Sequence, residues 1–330
     1  MTEILLLPGK ATARQMFTPD HLEQLRALGN LKTNPYEGMP PREELLELVS
    51  DAEVIITSWG CPAMDRAILD RAPALKLVVH AAGTVKGIVT PELVKRGIRV
   101  SSANEALGRG VAETALGLTI VSLKYIWQLA KDTREGEWRK NWSKVRDLYN
   151  VTIGVIGAGK AGRHYIKLLQ NFHVNILAYD PTLTQAELRA LGAEKVELET
   201  LLRESDVVSI HAPSIPETYR MINGERLRLM KDNAVLINTA RGALIDEEAL
   251  VAELSKGRLW ACLDVTDPEP PAPDHPFRSL PNVILLPHIA GVVNNGLHRV
   301  ADYTIEEVRR YREGTALDGE VELSRLHVLA

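Results

Sequence analysis

The sequence predicts an α/β protein made of two doubly wound parallel-sheet domains. Three observations carry this expectation. Short β-branched or leucine-rich runs alternate with amphipathic stretches from end to end. Those runs are continuously apolar, which marks strands covered on both faces of a parallel sheet. The 330 residues exceed what one ordinary core encloses. Repeated βαβ alternation then gives doubly wound sheets.

Ten strands are expected, at residues 4–7, 54–57, 75–80, 98–101, 151–156, 175–179, 207–211, 234–238, 259–263 and 283–286. Thr18-Pro19-Asp20 caps a helix over 21–28 that Gly29 closes. Asp246-Glu247-Glu248 places acid in the first turn of a helix running to about Lys256, ended by Gly257. One long segment, from Asn104 to about Gly136, interrupts the rhythm with more apolar residues than one face needs. It reads either as a core helix or as a connector that also buries surface against a second subunit. Trp138 and Trp142 follow it among basic residues.

Composition excludes several classes of function. With 45% hydrophobic and 25% charged residues the chain has a globular balance, and a net charge of -4 argues against a nucleic-acid partner. Cys61 and Cys262 are the only cysteines, too few for a disulfide framework or a cysteine-built metal site. The start lacks a basic n-region, and no apolar run approaches the ~18 residues of a membrane span. A soluble cytoplasmic protein with no membrane partner and no metal is therefore expected.

The segment 151–162 is a buried strand running into the turn Gly157-Ala158-Gly159-Lys160-Ala161-Gly162, with a helix expected over 163–170. Gly157 permits the tight turn, Gly159 lets a pyrophosphate approach the backbone, and Gly162 lets the helix pack on the strand. The helix N-terminus offers free amides to the phosphates. A second strand ends at Asp180, 180 − 162 = 18 residues past the last glycine, where a ribose-binding carboxylate is expected. Its charge repels a 2′-phosphate, so NAD is favoured over NADP. Three further strand ends carry chemistry. Asn238-Thr239-Ala240-Arg241-Gly242 presents a guanidinium fork suited to a carboxylate. The run from Asp264 to Pro270 presents acids, and Pro287-His288-Ile289-Ala290-Gly291 an imidazole. Cation, acid and imidazole at three strand ends amount to an acid–base site with an anion clamp.

The glycine loop with Asp180, His211-Ala212-Pro213, Met230-Lys231, residues 238–242, Asp264-Val265, Glu269-Pro270 and Pro287-His288 together resemble the D-isomer-specific 2-hydroxyacid dehydrogenases across roughly 150–290. The resemblance implies an NAD-dependent oxidoreductase that moves a hydride between nicotinamide and C2 of a small D-2-hydroxy acid or 2-keto acid, such as glyoxylate or hydroxypyruvate. It implies a flavodoxin-like substrate domain (1–101, with a return helix and tail at 291–330), an inserted Rossmann domain (102–290), a homodimer, and a cleft closing about hinges near Asn104 and Ala290. Arg241 would bind the substrate, His288 would exchange the proton, and Glu269 would be its acidic partner. The interval from Arg241 to Glu269 is one residue shorter than the family pattern, which leaves Asp267 as the alternative acid. The cofactor would touch Gly157, Gly159, Lys160, Ala161, Gly162, Asp180, His211, Pro213, Thr239, Ala240, Arg241, Asp264, His288 and Gly291. The substrate would touch Ala82, Gly83, Thr84, Trp59 and Arg241. Trp59 could be an apolar wall or ordinary packing. Lys86 stands where the family has an acid, either solvated or favouring a second anionic group on the substrate. Corepressors that sense dinucleotides, and relatives that oxidise phosphite or phosphoglycerate, share the motifs. The absence of a basic arm favours an enzyme, and the absence of an arginine at 57–61 weighs against phosphoglycerate.

Overall fold

The computed structural model describes residues 1–328. The chain forms two compact units, one of residues 1–107 with the return segment from Val292, the other spanning Gly108–Gly291 and inserted between those parts.

The first unit holds five parallel strands: β1 (Glu3–Leu6), β2 (Asn30–Thr33), β3 (Val54–Thr57), β4 (Leu77–His80) and β5 (Arg99–Ser102). Their order β2-β1-β3-β4-β5 is the flavodoxin-like winding. Alternate residues serve opposite faces. Ile4, Leu6, Val54, Ile56, Leu77 and Val79 join one core cluster, and Leu5, Ile55, Val78 and Val100 the other. The first face is covered by helices Lys10–Met16, Pro19–Leu28 and the return helix Gly296–Glu313, which buries Val300, Ala301, Ile305 and Val308 there.

The second unit holds seven parallel strands: β6 (Tyr149–Ile156), β7 (His173–Tyr179), β8 (Glu194–Lys195), β9 (Val207–Ile210), β10 (Val235–Asn238), β11 (Trp260–Leu263) and β12 (Val283–Leu285). The order β12-β11-β10-β9-β6-β7-β8 reverses direction between β6 and β9. Counted from β6 it is the Rossmann order with a seventh strand added, and the reversal is where such sheets bind ligands. Here too Val208 and Leu236 face one core while Val207, Val235 and Ile237 face the other.

All ten expected strands form, within two residues at each end. The two additional strands, β2 and β8, are sheet edges with mostly exposed, polar residues, and so lack the apolar run that betrays a buried strand. The 104–136 segment is two helices, Asn104–Leu123 and Ile126–Arg134, broken at Tyr125 with its backbone in the left-handed region (φ 56°). The units divide within the first of these helices, at Leu107/Gly108, not at 101/102, because Ala103 and Ala106 pack into the first unit's core. By length and composition the Asn104–Leu123 helix is long enough to cross a membrane, contrary to expectation from the sequence. Small residues extend its apolar character, and Ala112, Ala115, Leu118 and Leu123 spend it in the second unit's core.

Candidate active site

The glycine loop leaves β6 at the sheet's switch point. Gly157 has φ +88°, and a Cβ there would stand 2.7 Å from the Ala212 amide, so only glycine makes this turn beside the loop after β9. A Cβ on Gly162 would stand 2.1 Å from the Gly157 carbonyl oxygen, which fixes how closely the helix Lys160–Leu169 seats on the turn. Gly159 is the opposite case. It is the N-cap of that helix, no side chain caps it, and a Cβ there would meet nothing within 4 Å. Open space above an uncapped helix N-terminus is what a pyrophosphate requires, so the loop fits a dinucleotide.

Asp180 follows β7 and is buried. Its Oδ2 accepts the Ala158 amide at 2.8 Å, and its Oδ1 accepts both the amide (2.8 Å) and hydroxyl (2.7 Å) of Thr182. A carboxylate has about four acceptor positions. Three are taken, leaving one on Oδ2 for a ribose hydroxyl. His211 lies in the loop after β9, its Nε2 2.9 Å from the Ser209 hydroxyl and its ring against Tyr165. Burial lowers its pKa to about 4, so it stays neutral and is no proton carrier near neutrality. His211 Nδ1 and Thr239 Oγ1 are buried without a hydrogen-bond partner. Two orphaned polar atoms beside the switch point again fit a polar ligand. Pro213 accepts the Thr218 hydroxyl at 2.6 Å.

Strands β10, β11 and β12 are neighbours, so their carboxyl ends form a row roughly 10 Å across. After β10, buried Asn238 locks the turn: its Nδ2 donates to the Arg241 carbonyl (2.8 Å) and its Oδ1 accepts the Ala240 amide (3.0 Å). Arg241 is left exposed, one guanidinium N–H donating to the Ala240 carbonyl. After β11, Asp264 turns inward. Its Oδ1 accepts the Ile289 amide (2.8 Å), its Oδ2 the Ala290 amide (2.7 Å), and its carbonyl the His288 amide (2.9 Å). Burial raises its pKa, and the two amide bonds oppose that shift. Each oxygen thus accepts one backbone amide, which leaves about two of the four acceptor positions for the cofactor contact the sequence suggests. This triple hold fixes His288 in the left-handed region (φ 54°), a costly conformation for a residue with a side chain. Ala290 also accepts the Thr114 hydroxyl, and Gly291 ends the unit.

Glu269 Oε1 lies 2.6 Å from His288 Nδ1. Both side chains are about half exposed (41% and 48%), so the pair is open to a ligand. Asp267, the alternative acid, lies elsewhere in the loop and its amide donates to Glu247. A carboxylate on Nδ1 holds the imidazole with Nε2 facing outward, able to give or take a proton. Among the described residues no cluster of three His, Cys, Asp or Glu could hold a metal. Burial pushes the thiols of Cys61 and Cys262 up to about 11, so neither is a nucleophile near neutrality.

In the first unit, Trp59 follows β3 and the 82–84 loop follows β4, at the carboxyl ends of neighbouring strands. The Ser58 hydroxyl donates to the Ala81 carbonyl, and the Ala81 amide to the Thr57 carbonyl. Ala82 is buried, Thr84 and Lys86 are exposed, and Trp59 is about half exposed. Sequence reasoning gave no role to His80, at the head of this loop, whose ring ties it to β3. Its Nδ1 is 2.9 Å from the Thr57 hydroxyl, and burial lowers its pKa to about 4, opposed by the Thr84 backbone. A histidine ending a buried strand before small residues was the available signal. Asn238, named at the head of its motif, was given no role there, since it showed only as a polar residue ending an apolar run.

Residues 116–290 match the family described as D-isomer specific 2-hydroxyacid dehydrogenase, NAD binding domain. A glyoxylate reductase of Thermofilum pendens is 39% identical over 269 residues, 80% of this chain and 79% of that protein. A D-3-phosphoglycerate dehydrogenase of Methanocaldococcus jannaschii is 33% identical over 287 residues, 86% of this chain but 54% of that longer protein. The solved structure of a glyoxylate reductase from Paecilomyes thermophila superposes with a TM-score of 0.78 at 28% identity, covering 98% of this chain and 99% of that one. A matching NAD-binding domain, the flavodoxin-like and Rossmann windings and the row of strand ends thus converge, and the chain belongs to the NAD-dependent D-isomer-specific 2-hydroxyacid dehydrogenases.

Proposed function

We propose that the protein reduces a small 2-keto acid, with glyoxylate and hydroxypyruvate the leading candidates, to the D-2-hydroxy acid. The observation that carries this reading is the 2.6 Å contact between Glu269 and His288 Nδ1, in a row of strand ends that also presents Arg241. When bound, NADH supplies the hydride that reaches C2. His288 Nε2 gives its proton to the carbonyl oxygen as negative charge grows there, and recovers one from solvent. Glu269 stabilises the imidazolium that must exist before that transfer. Arg241 holds the substrate carboxylate with its planar fork and polarises the carbonyl. Within the first unit, the 82–84 backbone with Trp59 is suited to an anion, small residues allowing one close to the amides. Gly157, Gly159, Lys160, Ala161 and Gly162 would hold the cofactor's pyrophosphate and Asp180 its ribose. His211, Pro213, Thr239, Ala240 and Gly291 line the same strand ends.

A panel of glyoxylate, hydroxypyruvate, phosphohydroxypyruvate, pyruvate and a branched 2-keto acid, each with NADH and NADPH, tests this reading. Turnover is expected with one of the small acids. NADH is expected to lead NADPH by at least about tenfold in kcat/KM, since like charge against Asp180 costs several kcal/mol. NADH binding without turnover of any acid would instead favour a dinucleotide sensor. A preference for the phosphorylated acid would assign Lys86 a phosphate.

The proposal includes a homodimer. Ile126, Trp127, Trp138 and Trp142 are exposed large apolar residues in the stretch after the long helix, more than a free surface normally carries in one segment. Sedimentation at twice the monomer mass, lost in Trp127→Glu, is the expected result; a wild-type monomer at micromolar concentration counts against it.

A further inference from the structure

Glu269 reaches His288 from the middle of a loop, and a loop holds a side chain to hydrogen-bond accuracy only when its own backbone is held. Thr266 and Pro268 are tied to each other, the Thr266 hydroxyl donating to the Pro268 carbonyl at 2.9 Å. The Asp267 amide between them is held from outside the loop, by Glu247 Oε1 at 2.8 Å.

Glu247 is the first residue of the helix Glu247–Ser255, and helix capping does not explain its carboxylate. The preceding Asp246 already caps, accepting the Ala249 amide. The Glu247 side chain is only 15% exposed and points at the loop. Its Oε2 lies 3.8 Å from His275 Nε2. His275 Nδ1 accepts the Phe277 amide, which leaves the ring proton on Nε2, toward Glu247. Arg220, Glu248, Asp267 and His275 line a cavity of about 360 Å³ around it. Burial raises the Glu247 pKa; the Asp267 amide and Arg220 pull it down, and the Asp267 charge pushes it up. A carboxylate kept largely out of water, with one backbone amide as its close partner, has a task at that amide.

We propose that Glu247 is a positioning residue for the acid–base pair: through the Asp267 amide it sets where Glu269 stands against His288. The proposal rests on the reading that Glu269 and His288 carry the proton, and the test separates the two. Steady-state reduction of glyoxylate, or of the best acid in the panel, is measured across pH for the holoenzyme and its variants. These are Glu247→Ala, Glu247→Met (similar length, no acceptor), Glu247→Gln, Glu269→Gln and the double variant Glu247→Ala/Glu269→Gln.

Loss of the acceptor in Glu247→Ala and Glu247→Met is expected to lower kcat about tenfold, the scale of one hydrogen bond. The KM for NADH stays near wild type, and the pH profile moves toward that of Glu269→Gln. Glu247→Gln, whose amide oxygen still accepts from Asp267, recovers most of the rate. The double variant is no slower than Glu269→Gln alone, because groups acting as one unit are not additive. Losses that multiply in the double variant, a wild-type pH profile in Glu247→Ala and Glu247→Met, or no recovery with Gln would each overturn the proposal. Wild-type kcat and pH profile in Glu269→Gln would overturn the proton-carrying reading itself, and this proposal with it.

Discussion

Replacing His288 by alanine is expected to lower kcat about 10³- to 10⁴-fold, toward the upper range for a general acid–base group, while the Kd for NADH changes by less than about threefold, the ring being one of many expected cofactor contacts. The imidazole is the one group in the row held by a carboxylate on Nδ1 and left open on Nε2. Without it the carbonyl oxygen must take a proton from water as the hydride arrives. The backbone complicates the substitution. His288 sits at φ 54°, which alanine tolerates less well than asparagine does. His288→Asn therefore accompanies His288→Ala, and both should lose turnover equally. Stopped-flow turnover and NADH fluorescence titration check this. A loss of NADH affinity with turnover scaling in parallel would mean that His288 has been misassigned to proton transfer.

Arg241→Lys is the second large effect, with kcat/KM for the keto acid expected to fall about 10²- to 10³-fold, the range for removing a donor aimed at developing negative charge. The charge survives the change, so a smaller effect would follow if long-range attraction were all that mattered. An ammonium cannot make two parallel hydrogen bonds to a carboxylate. Asn238 holds the turn on both sides of Ala240, so the lysine side chain starts from an unmoved backbone. Both kcat and KM should worsen, because the fork both grips the carboxylate and polarises the carbonyl. A kcat/KM within threefold of wild type would leave Arg241 as a general electrostatic contributor and shift the anion clamp to the 82–84 amides.

Legibility of the site followed sequence distance. The glycine loop and Asp180 belong to one βαβ unit, and their geometry was readable: Gly157, Gly159 and Gly162 meet tight backbone, open space and tight backbone in turn. How many ribose bonds Asp180 can still accept was not readable, because the Thr182 amide and hydroxyl occupy it only once the turn has folded. Spacing left Glu269 and Asp267 both open as the acid beside His288. The folded loop puts Glu269 there and hands the Asp267 amide to Glu247. Asp264 was recognisable as a strand-end acid, but its partners are amides 25 and 26 residues later. The break at Tyr125 had no glycine or proline to announce it.

Residues 1–328 therefore divide by physical cause. Strands buried on both faces must be apolar throughout, so local composition alone determines ten of the twelve strands, while their order in the two sheets is set by the tertiary structure. Edge strands β2 and β8 escape because solvent asks nothing of their side chains. The three strand ends with Arg241, an acid and His288 were also present in the order of residues. Which acid meets the imidazole, which backbone holds it, and which carboxylate spends itself on amides were decided by tertiary structure. Each depends on hydrogen bonds 19 to 26 residues apart in the chain, formed only when neighbouring strands bring their carboxyl ends together.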